Sequence, residues 1–282
     1  VDARLIYLIL GAERLAHADW RGWEDFLART QALIEQTHRE DTLLTDRALV
    51  YRTVHLPLPH RAKTALAEAV SGHIARASAE RPAFWVQRTA PPRDSTRLRI
   101  GYLTPDLGAH PMARSYRGLF GKHDRSRVEV FVYALGQDDG NENRQLIEAG
   151  ADRFTDLHPL ANEEAAYAVY RDDLDVLVDL AGYTADSRTE ILAHRPAPVQ
   201  IAYAGFHGTM GADFIDYHIL DRFAVTEEES AHRPEALIRL ARPTLAFDDT
   251  VPVDPLPPRR EEAGLPDDAI VFGALHQHRK LD

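Results

Sequence analysis

The sequence predicts an α/β protein in which a helical segment precedes a Rossmann-like sheet of parallel strands. Three observations predict it. Apolar residues recur at helical spacing through residues 1–90, strand-like runs alternate with helical patterns after residue 97, and a proline-containing linker, APPRDST, separates the two regions. Alternating strands and helices form βαβ units, whose right-handed crossovers make the strands parallel and put helices on both faces of the sheet.

The first region, residues 1–90, has the spacing of packed helices. Trp23, Phe26 and Ile34 fall on one face of a helix, and Leu66 and Val70 fall on one face of another. This arrangement suits the end of a helical-repeat array. A stretch of this length shows no fixed repeat period, so ordinary helical packing is the alternative interpretation.

The second region, residues 97–250, alternates strands with helices. Its strand-like runs are Leu98–Leu103, Val128–Leu135, Leu174–Leu180, Val199–Ala204, Tyr217–Leu220 and Leu237–Leu240. Helical patterns fill several gaps, at Ala113–Phe120, Asn141–Ala149, Glu163–Tyr170 and Ser187–His194. Because ligands of such sheets bind beyond the carboxyl ends of the strands, the loops that follow the strands are the predicted location of a site.

The last region, residues 251–282, starts with the proline-rich connector VPVDPLPPRR and contains one further predicted strand, Ala269–Leu275. We interpret it as a linker and the start of a second α/β lobe. The first residue is not methionine, and the chain stops soon after that strand. We therefore expect the chain to be a fragment of a longer protein.

The composition is that of an ordinary globular protein, with 44% hydrophobic and 27% charged residues among 282. The 33 basic and 44 acidic side chains give a net charge of −11, which argues against nonspecific attraction to nucleic acid or an anionic membrane. The lack of cysteine excludes disulfides and thiolate metal sites. With neither a leader pattern nor a long apolar stretch, the sequence predicts a cytoplasmic protein without a membrane partner.

His110 is the first candidate for chemistry. It follows the predicted strand Leu98–Leu103 in a segment, TPDLGAHP, whose prolines and glycine exclude regular structure. Such a loop places the side chain beyond the carboxyl end of a strand. A single histidine there more often caps a helix or lies on the surface, so its position alone does not establish a role.

Two further loops at the predicted edge carry polar groups. GFHGTMG, at 205–211, has glycines three apart, so its backbone N–H groups can approach a ligand closely, although a tight structural turn has the same pattern. It is neither a dinucleotide fingerprint nor a P-loop. Asp179 is expected to cap a loop or pair with an arginine, and Tyr183 to reach the rim with its hydroxyl available, structural use being the default for both.

Beyond the last predicted strand, Gln277 and Lys280 place an amide and an ammonium where they can bind a diphosphate without a metal. His276 and His278 offer the alternative of a His-x-His metal pair. A tetrahedral site needs three or four ligands, and this stretch has no cysteine and no carboxylate positioned beside the pair. No metal site is therefore predicted.

Taken together, several segments resemble the O-linked N-acetylglucosamine transferase and SPINDLY family of glycosyltransferases, from about Ala16 to Asp282. The segments are ADWRGW, RLRIGYLTPDLGAHP, VEVFVYAL with DDG, LDVLVDLAGYT, RPAPVQIAYAGFHGTMGADFIDY and GLPDDAIVFGALHQHRKLD. The resemblance implies a tetratricopeptide superhelix ahead of a two-lobed GT-B catalytic unit. The expected fold is thus α/β, a tetratricopeptide-like helical segment followed by a Rossmann-like N-terminal lobe of a GT-B glycosyltransferase.

The resemblance also assigns site residues. His110 matches the histidine of the family's HP motif, close to the donor sugar and the acceptor. Gln277 and Lys280 match a Gln-x-x-Lys pair on the donor diphosphate, where the lysine would stabilise the leaving charge. Tyr183 stands at a cleft position that family members fill with Tyr or His.

The loop Gly205–Gly211 matches the segment that lines the sugar and acceptor side of the family's cleft. Its predicted donor- and substrate-binding residues are Gly205, His207, Gly208 and Thr209. His207 departs from the family, which usually has proline there, so the loop carries an additional titratable group.

The resemblance implies inverting, metal-independent transfer of N-acetylglucosamine from UDP-GlcNAc to Ser and Thr hydroxyls of proteins, without a cofactor. Acceptor proteins would be recruited by the helical segment, and nucleic acid is not an expected partner. Fucose transfer from GDP-fucose is the nearest alternative; a noncatalytic interaction module and a metal-dependent hydrolase using His110, His276 and His278 are others. Because most of the second lobe is missing, we expect the isolated chain to bind donor weakly or not at all.

Overall fold

Helices precede the sheet. The computed structural model describes residues 7, 9–11, 13–14, 17, 19–40, 46–78, 96–250, 256 and 258–273. Within these residues, the helices with assigned bounds ahead of the sheet are α1 (Trp23–Glu40), α2 (Arg47–Thr53) and α3 (His60–Ser78). Phe26 and Ile34 of α1 and Leu66 and Val70 of α3 are buried, which confirms the helical faces predicted from their spacing.

The second region forms a seven-stranded sheet in which all neighbours are parallel. Its strands are β1 (Leu98–Thr104), β2 (Val128–Ala134), β3 (Arg153–Asp156), β4 (Val176–Asp179), β5 (Val199–Tyr203), β6 (Tyr217–Asp221) and β7 (Ala236–Leu240). Six of these strands and the α/β class were predicted. The edge strand β3 was missed because its sequence, RFTD, lacks the apolar run that identified the others.

The strands lie in the order β3-β2-β1-β4-β5-β6-β7, so the side of the sheet to which the chain adds new strands changes once. The chain adds β2 and β3 on one side of β1 and then crosses to add β4 to β7 on the other side. The carboxyl ends of the neighbouring strands β1 and β4 therefore form the topological switch point, the place where open α/β sheets bind ligands. His110 follows β1, and Tyr183 follows β4.

Helices cover both faces of the sheet. They are α4 (Pro111–Tyr116), α5 (Glu142–Gly150), α6 (Asn162–Arg171), α7 (Thr189–Ala193) and the short α8 (Glu227–Ser230). Tyr102 and Leu103 are adjacent in β1 and belong to two different apolar clusters, as expected for side chains that alternate across a sheet. The cluster around Leu103 also contains Phe26 and Val70, so the helical segment shares a core with the sheet.

Residues 269–273, the described part of the predicted strand Ala269–Leu275, do not form a strand. Ile270 and Phe272 are 83% and 91% exposed. A strand needs a hydrogen-bonding neighbour, and the described residues provide none at this point in the chain. Among all the residues that the structure describes, no helix has the length and apolar character needed to cross a membrane.

Candidate functional site

His110 lies at the switch point and caps α4. Its backbone is extended, and its imidazole Nδ1 accepts the N–H of Met112 at 3.2 Å, with Pro111 occupying the first helical position. Because Nδ1 is the acceptor, the neutral ring carries its proton on Nε2. The side chain is 46% exposed. His110 therefore fulfils the capping interpretation and still presents an imidazole N–H to solvent.

The loop that carries His110 is held by a carboxylate from the next strand's loop. Asp139 accepts the N–H of Ala109 at 2.7 Å and that of Asn141 at 3.0 Å. The bond from Ala109 is the largest cause of the lowered pKa of Asp139. A Cβ on Gly108 would lie 2.3 Å from Oδ2 of Asp139, so a larger residue at position 108 would displace this carboxylate.

A cavity of about 620 Å³ lies beside His110. The side chains that line it follow the strands on both sides of the switch point: Asp106, His110, Asp139, His158, Asp186 and Arg188, with Arg47 from α2. Burial raises the pKa of Asp106, whose Oδ2 lies 3.6 Å from Nδ1 of His110. The cavity thus combines carboxylates with two guanidinium groups and can receive hydroxyl-rich or charged ligands.

A second cavity, of about 470 Å³, lies along the loop Gly205–Gly211. The predicted residues Gly205, His207, Gly208 and Thr209 all line it, and Met112 and Lys63 contribute from α4 and α3. Both cavities reach the start of α4, because His110 lines the first and Met112, two residues further along the chain, lines the second. The structure therefore brings His110 and the glycine loop to one edge of the sheet.

Gly205, the first glycine of this loop, lies against the backbone of the loop after β4. A Cβ on Gly205 would lie 2.0 Å from the carbonyl oxygen of Leu180, so the loops after β4 and β5 pass in direct contact. Thr209 is 7% exposed, and its hydroxyl donates to the Glu235 carboxylate. The Thr209 hydroxyl is therefore engaged within the protein, and His207, an exposed residue, lines the cavity.

Tyr183 differs from its prediction. The side chain is 1% exposed, and its hydroxyl donates to the carbonyl of Met210 at 2.7 Å instead of being available at the rim. The reason is that the loop after β5 folds over it, with the ring of Phe206 edge-on at 5.6 Å. Asp179 behaves as predicted, since its carboxylate caps the loop through the N–H groups of Ala181 and Gly182.

The predicted diphosphate residues Gln277 and Lys280, with His276 and His278, lie outside the described residues. Among the residues that the structure describes, no three His, Cys, Asp or Glu side chains converge in a way that could hold a metal ion. The proposed roles of Gln277 and Lys280 remain predictions.

The sequence did not predict a cluster of buried polar side chains beneath the glycine loop. It consists of His218 of β6 together with Arg233 and Glu235, which precede β7. A charged residue next to a strand normally predicts a solvated position, so no local pattern distinguished these side chains. Their partners become visible only when β6 and β7 are placed beside β5.

A family model described as glycosyl transferase family 41 matches residues 18–247. A probable UDP-N-acetylglucosamine--peptide N-acetylglucosaminyltransferase SEC of Arabidopsis thaliana is 38% identical over 191 residues, covering 66% of this chain and 20% of that protein. The UDP-N-acetylglucosamine--peptide N-acetylglucosaminyltransferase of Caenorhabditis elegans is 35% identical over 209 residues, 71% of this chain and 18% of that protein. The chain thus spans about a fifth of the length of these curated relatives.

The SPINDLY branch and a solved structure are also similar. A probable UDP-N-acetylglucosamine--peptide N-acetylglucosaminyltransferase SPINDLY of Arabidopsis thaliana is 28% identical over 188 residues, 65% of this chain and 20% of that protein. The structure of an O-GlcNAc transferase mutant from Thermobaculum terrenum superposes with a TM-score of 0.64 at 28% identity, covering 85% of this chain and 44% of that one.

Proposed function

This chain belongs to glycosyl transferase family 41, and from that membership we propose that it is part of an enzyme that transfers N-acetylglucosamine from UDP-GlcNAc to Ser and Thr hydroxyls of proteins. The observation that carries the proposal is the location of His110 and the glycine loop at one edge of the sheet, where the cavity beside His110 and the cavity along the loop both reach the start of α4. One cavity can receive the sugar while the acceptor hydroxyl approaches from the other.

The proposed reaction is a single displacement. The acceptor oxygen forms a bond to the anomeric carbon as the bond from that carbon to the diphosphate breaks, which inverts the configuration. The electron pair leaves with UDP, and the hydroxyl proton passes to water or to a neighbouring base. Because Nδ1 is engaged with the N–H of Met112, Nε2 is the ring nitrogen left for the reacting groups, and we assign His110 the role of hydrogen-bond donor to one of their oxygens.

Backbone groups of the loop supply the sugar side of the proposed site. Gly205 and Gly208 leave the backbone accessible, and His207 adds an imidazole at the cavity wall. Gln277 and Lys280 are the proposed ligands of the diphosphate, which is why we propose a transferase without metal or cofactor. The helical segment, which shares a core with the sheet, is the proposed recruiter of acceptor proteins.

Calorimetric titration tests the proposed donor, first on the 282-residue chain and, where the folded chain binds no nucleotide as expected for a fragment, on a longer form of the protein. UDP-GlcNAc, GDP-fucose, UDP and GDP are each titrated without metal and with added zinc. Metal-independent preference for UDP-GlcNAc supports the proposed donor, and preference for GDP-fucose replaces it with fucose transfer. Tight stoichiometric zinc binding contradicts the metal-free mechanism.

Activity needs a separate measurement. A longer form of the protein, with the second lobe restored, is incubated with radiolabelled donor and a Ser/Thr-containing acceptor protein. Incorporation of label that is lost in the His110→Ala variant supports catalysis by this site. A folded longer form that binds donor but transfers no sugar contradicts the proposed function.

A further inference from the structure

The Gly205–Gly211 loop rests on charged side chains that the proposed chemistry does not use. The side chains of His218 and Glu235 are fully buried, and that of Arg233 is 1% exposed. Charged groups at this depth are costly unless hydrogen bonds replace the lost water. Glu235 and Arg233 each form hydrogen bonds to the loop.

Glu235 holds the second half of the loop. Its carboxylate accepts the Thr209 hydroxyl at 2.7 Å and the N–H of Met210 at 2.6 Å. Burial by itself raises the pKa of Glu235, but the hydrogen bonds that the carboxylate accepts outweigh burial and hold its pKa below the ordinary value. The group is therefore ionised, and an ionised acceptor forms stronger hydrogen bonds than a neutral one.

Arg233 holds the first half. One amino group of its guanidinium donates to the carbonyl of His207 at 2.8 Å and also contacts the Glu229 carboxylate. The other amino group lies 3.2 Å from Nδ1 of His218. Burial is the largest cause of the lowered pKa of His218, so the ring is neutral and accepts from the guanidinium. The planar guanidinium thus joins the loop to β6.

The loop needs such support because its backbone does not form the regular hydrogen bonds of a helix or strand. Residues 205–211 form neither helix nor strand, and Gly211 has φ +58. Loops without regular structure are held by side-chain bonds to rigid elements, and a functional site tolerates displacements of only about 0.5 Å in its groups. Arg233 and Glu235, in the segment between β6 and β7, supply charged side chains for this support.

We propose that Glu235 and Arg233 are positioning residues, which hold the glycine loop in the conformation that receives the sugar and the acceptor. The proposal deepens the transferase function proposed above and rests on it for its catalytic consequence. Its structural part, immobilisation of the loop by these two side chains, can be tested without turnover.

The test uses Glu235→Gln and Arg233→Lys, with Asp172→Asn as the matched control. Glutamine keeps the volume of glutamate but has one acceptor oxygen instead of two, and lysine cannot bridge His207 and His218 as a guanidinium does. Asp172 is also a buried carboxylate, bonded to Tyr133 at 2.8 Å and Arg153 at 2.7 Å, but it lies before β4, at the opposite end of the sheet.

Hydrogen–deuterium exchange of the loop amides is the first measurement, on the 282-residue chain. We expect exchange in residues 205–211 to become about tenfold faster in both loop variants, since local opening requires less energy once a bond is lost. Asp172→Asn should lower the denaturation midpoint without accelerating the loop. Wild-type exchange in both loop variants, or equal acceleration in the control, overturns the proposal.

Steady-state transfer from UDP-GlcNAc in the longer form is the second measurement. Glu235→Gln should lower kcat about tenfold and leave the donor KM within about twofold, because misplacement affects the reacting geometry more than ground-state binding. An unchanged kcat overturns the positioning role. If the wild-type protein transfers no sugar, the proposed function fails, while the exchange measurement still decides whether these residues hold the loop.

Discussion

The hydroxyl of Tyr183 donates to the backbone carbonyl of Met210 at 2.7 Å, which ties the loop after β4 to the loop after β5. A third element joins them, since the hydroxyl of Ser71 in α3 donates to the carbonyl of Gly211. The glycine loop is therefore anchored to the sheet, to a neighbouring loop and to the helical segment. A change in any of these anchors is expected to reach the candidate site.

Tyr183→Phe should destabilise the protein by about 1 to 3 kcal/mol, because a buried carbonyl loses its donor while the ring packing is kept. Urea unfolding measures the change. Tyr167→Phe is the matched control, since Tyr167 is 51% exposed and its variant should stay within about 0.5 kcal/mol of the wild type. Equal stability of the Tyr183 variant and the wild type would show that the hydrogen bond contributes nothing.

His110→Asn and His110→Ala separate capping from chemistry. Asparagine is a favourable N-cap and can accept the N–H of Met112, whereas alanine cannot, so only His110→Ala should lose about 1 kcal/mol of stability. Both variants should lose sugar transfer in the longer form, since neither carries an imidazole. Retention of transfer in His110→Asn would show that the ring serves only as a cap.

Gly211→Ala should be much more harmful than Gly140→Ala. Both glycines have positive φ, +58 and +71, and at that conformation alanine costs roughly 1 to 2 kcal/mol. A Cβ on Gly211 would also lie 2.5 Å from the backbone nitrogen of Glu68 in α3, whereas nothing lies within 4 Å of one on Gly140. We expect an additional loss of about 2 kcal/mol for Gly211→Ala in urea unfolding. Equal losses of stability in the two variants would mean that α3 shifts to accommodate the Cβ without an energetic penalty.

Asp179 should make stability depend on pH. Burial raises its pKa to about 6, although the N–H groups of Ala181 and Gly182 oppose the shift. The folded state then binds this proton more tightly than the unfolded state, so the contribution of Asp179 to stability falls as pH rises from about 4 to about 6.

Above about pH 6, we expect Asp179 to lower the free energy of unfolding by about 3 kcal/mol relative to its value at about pH 4. Urea unfolding of the wild type and of Asp179→Asn at about pH 4 and pH 7 measures it as a change in their stability difference, because the variant lacks the titrating group. A difference that is the same at both pH values would place the folded pKa near its ordinary value.

Local patterns in the sequence were sufficient for the framework. Apolar runs bounded by turn residues located six of the seven strands, and the helical spacing of Phe26, Ile34, Leu66 and Val70 located the faces that are buried. The position of His110 at the carboxyl end of β1 also followed, because a run of proline and glycine after a strand leaves few alternatives. These features depend on neighbours in the chain.

Contacts between distant segments could not be predicted in this way. Tyr183 follows β4, and Glu235 precedes β7. Both side chains nevertheless form hydrogen bonds to the Gly205–Gly211 loop, which follows β5. A strand's periodicity reports which face a side chain occupies and says nothing about which loop folds over it. For that reason, Tyr183 was expected at the rim and was found in the core.

The sequence by itself determined the α/β class, six of the seven strands of the sheet and the placement of His110 and the glycine loop at one edge. The tertiary structure decided that Thr209 and Tyr183 are engaged in buried hydrogen bonds, that Arg233 and Glu235 lie beneath the loop, and that α3 contacts Gly211. The physical reason is that secondary structure follows from local spacing, whereas a buried polar side chain is stable only where the whole fold supplies its partner.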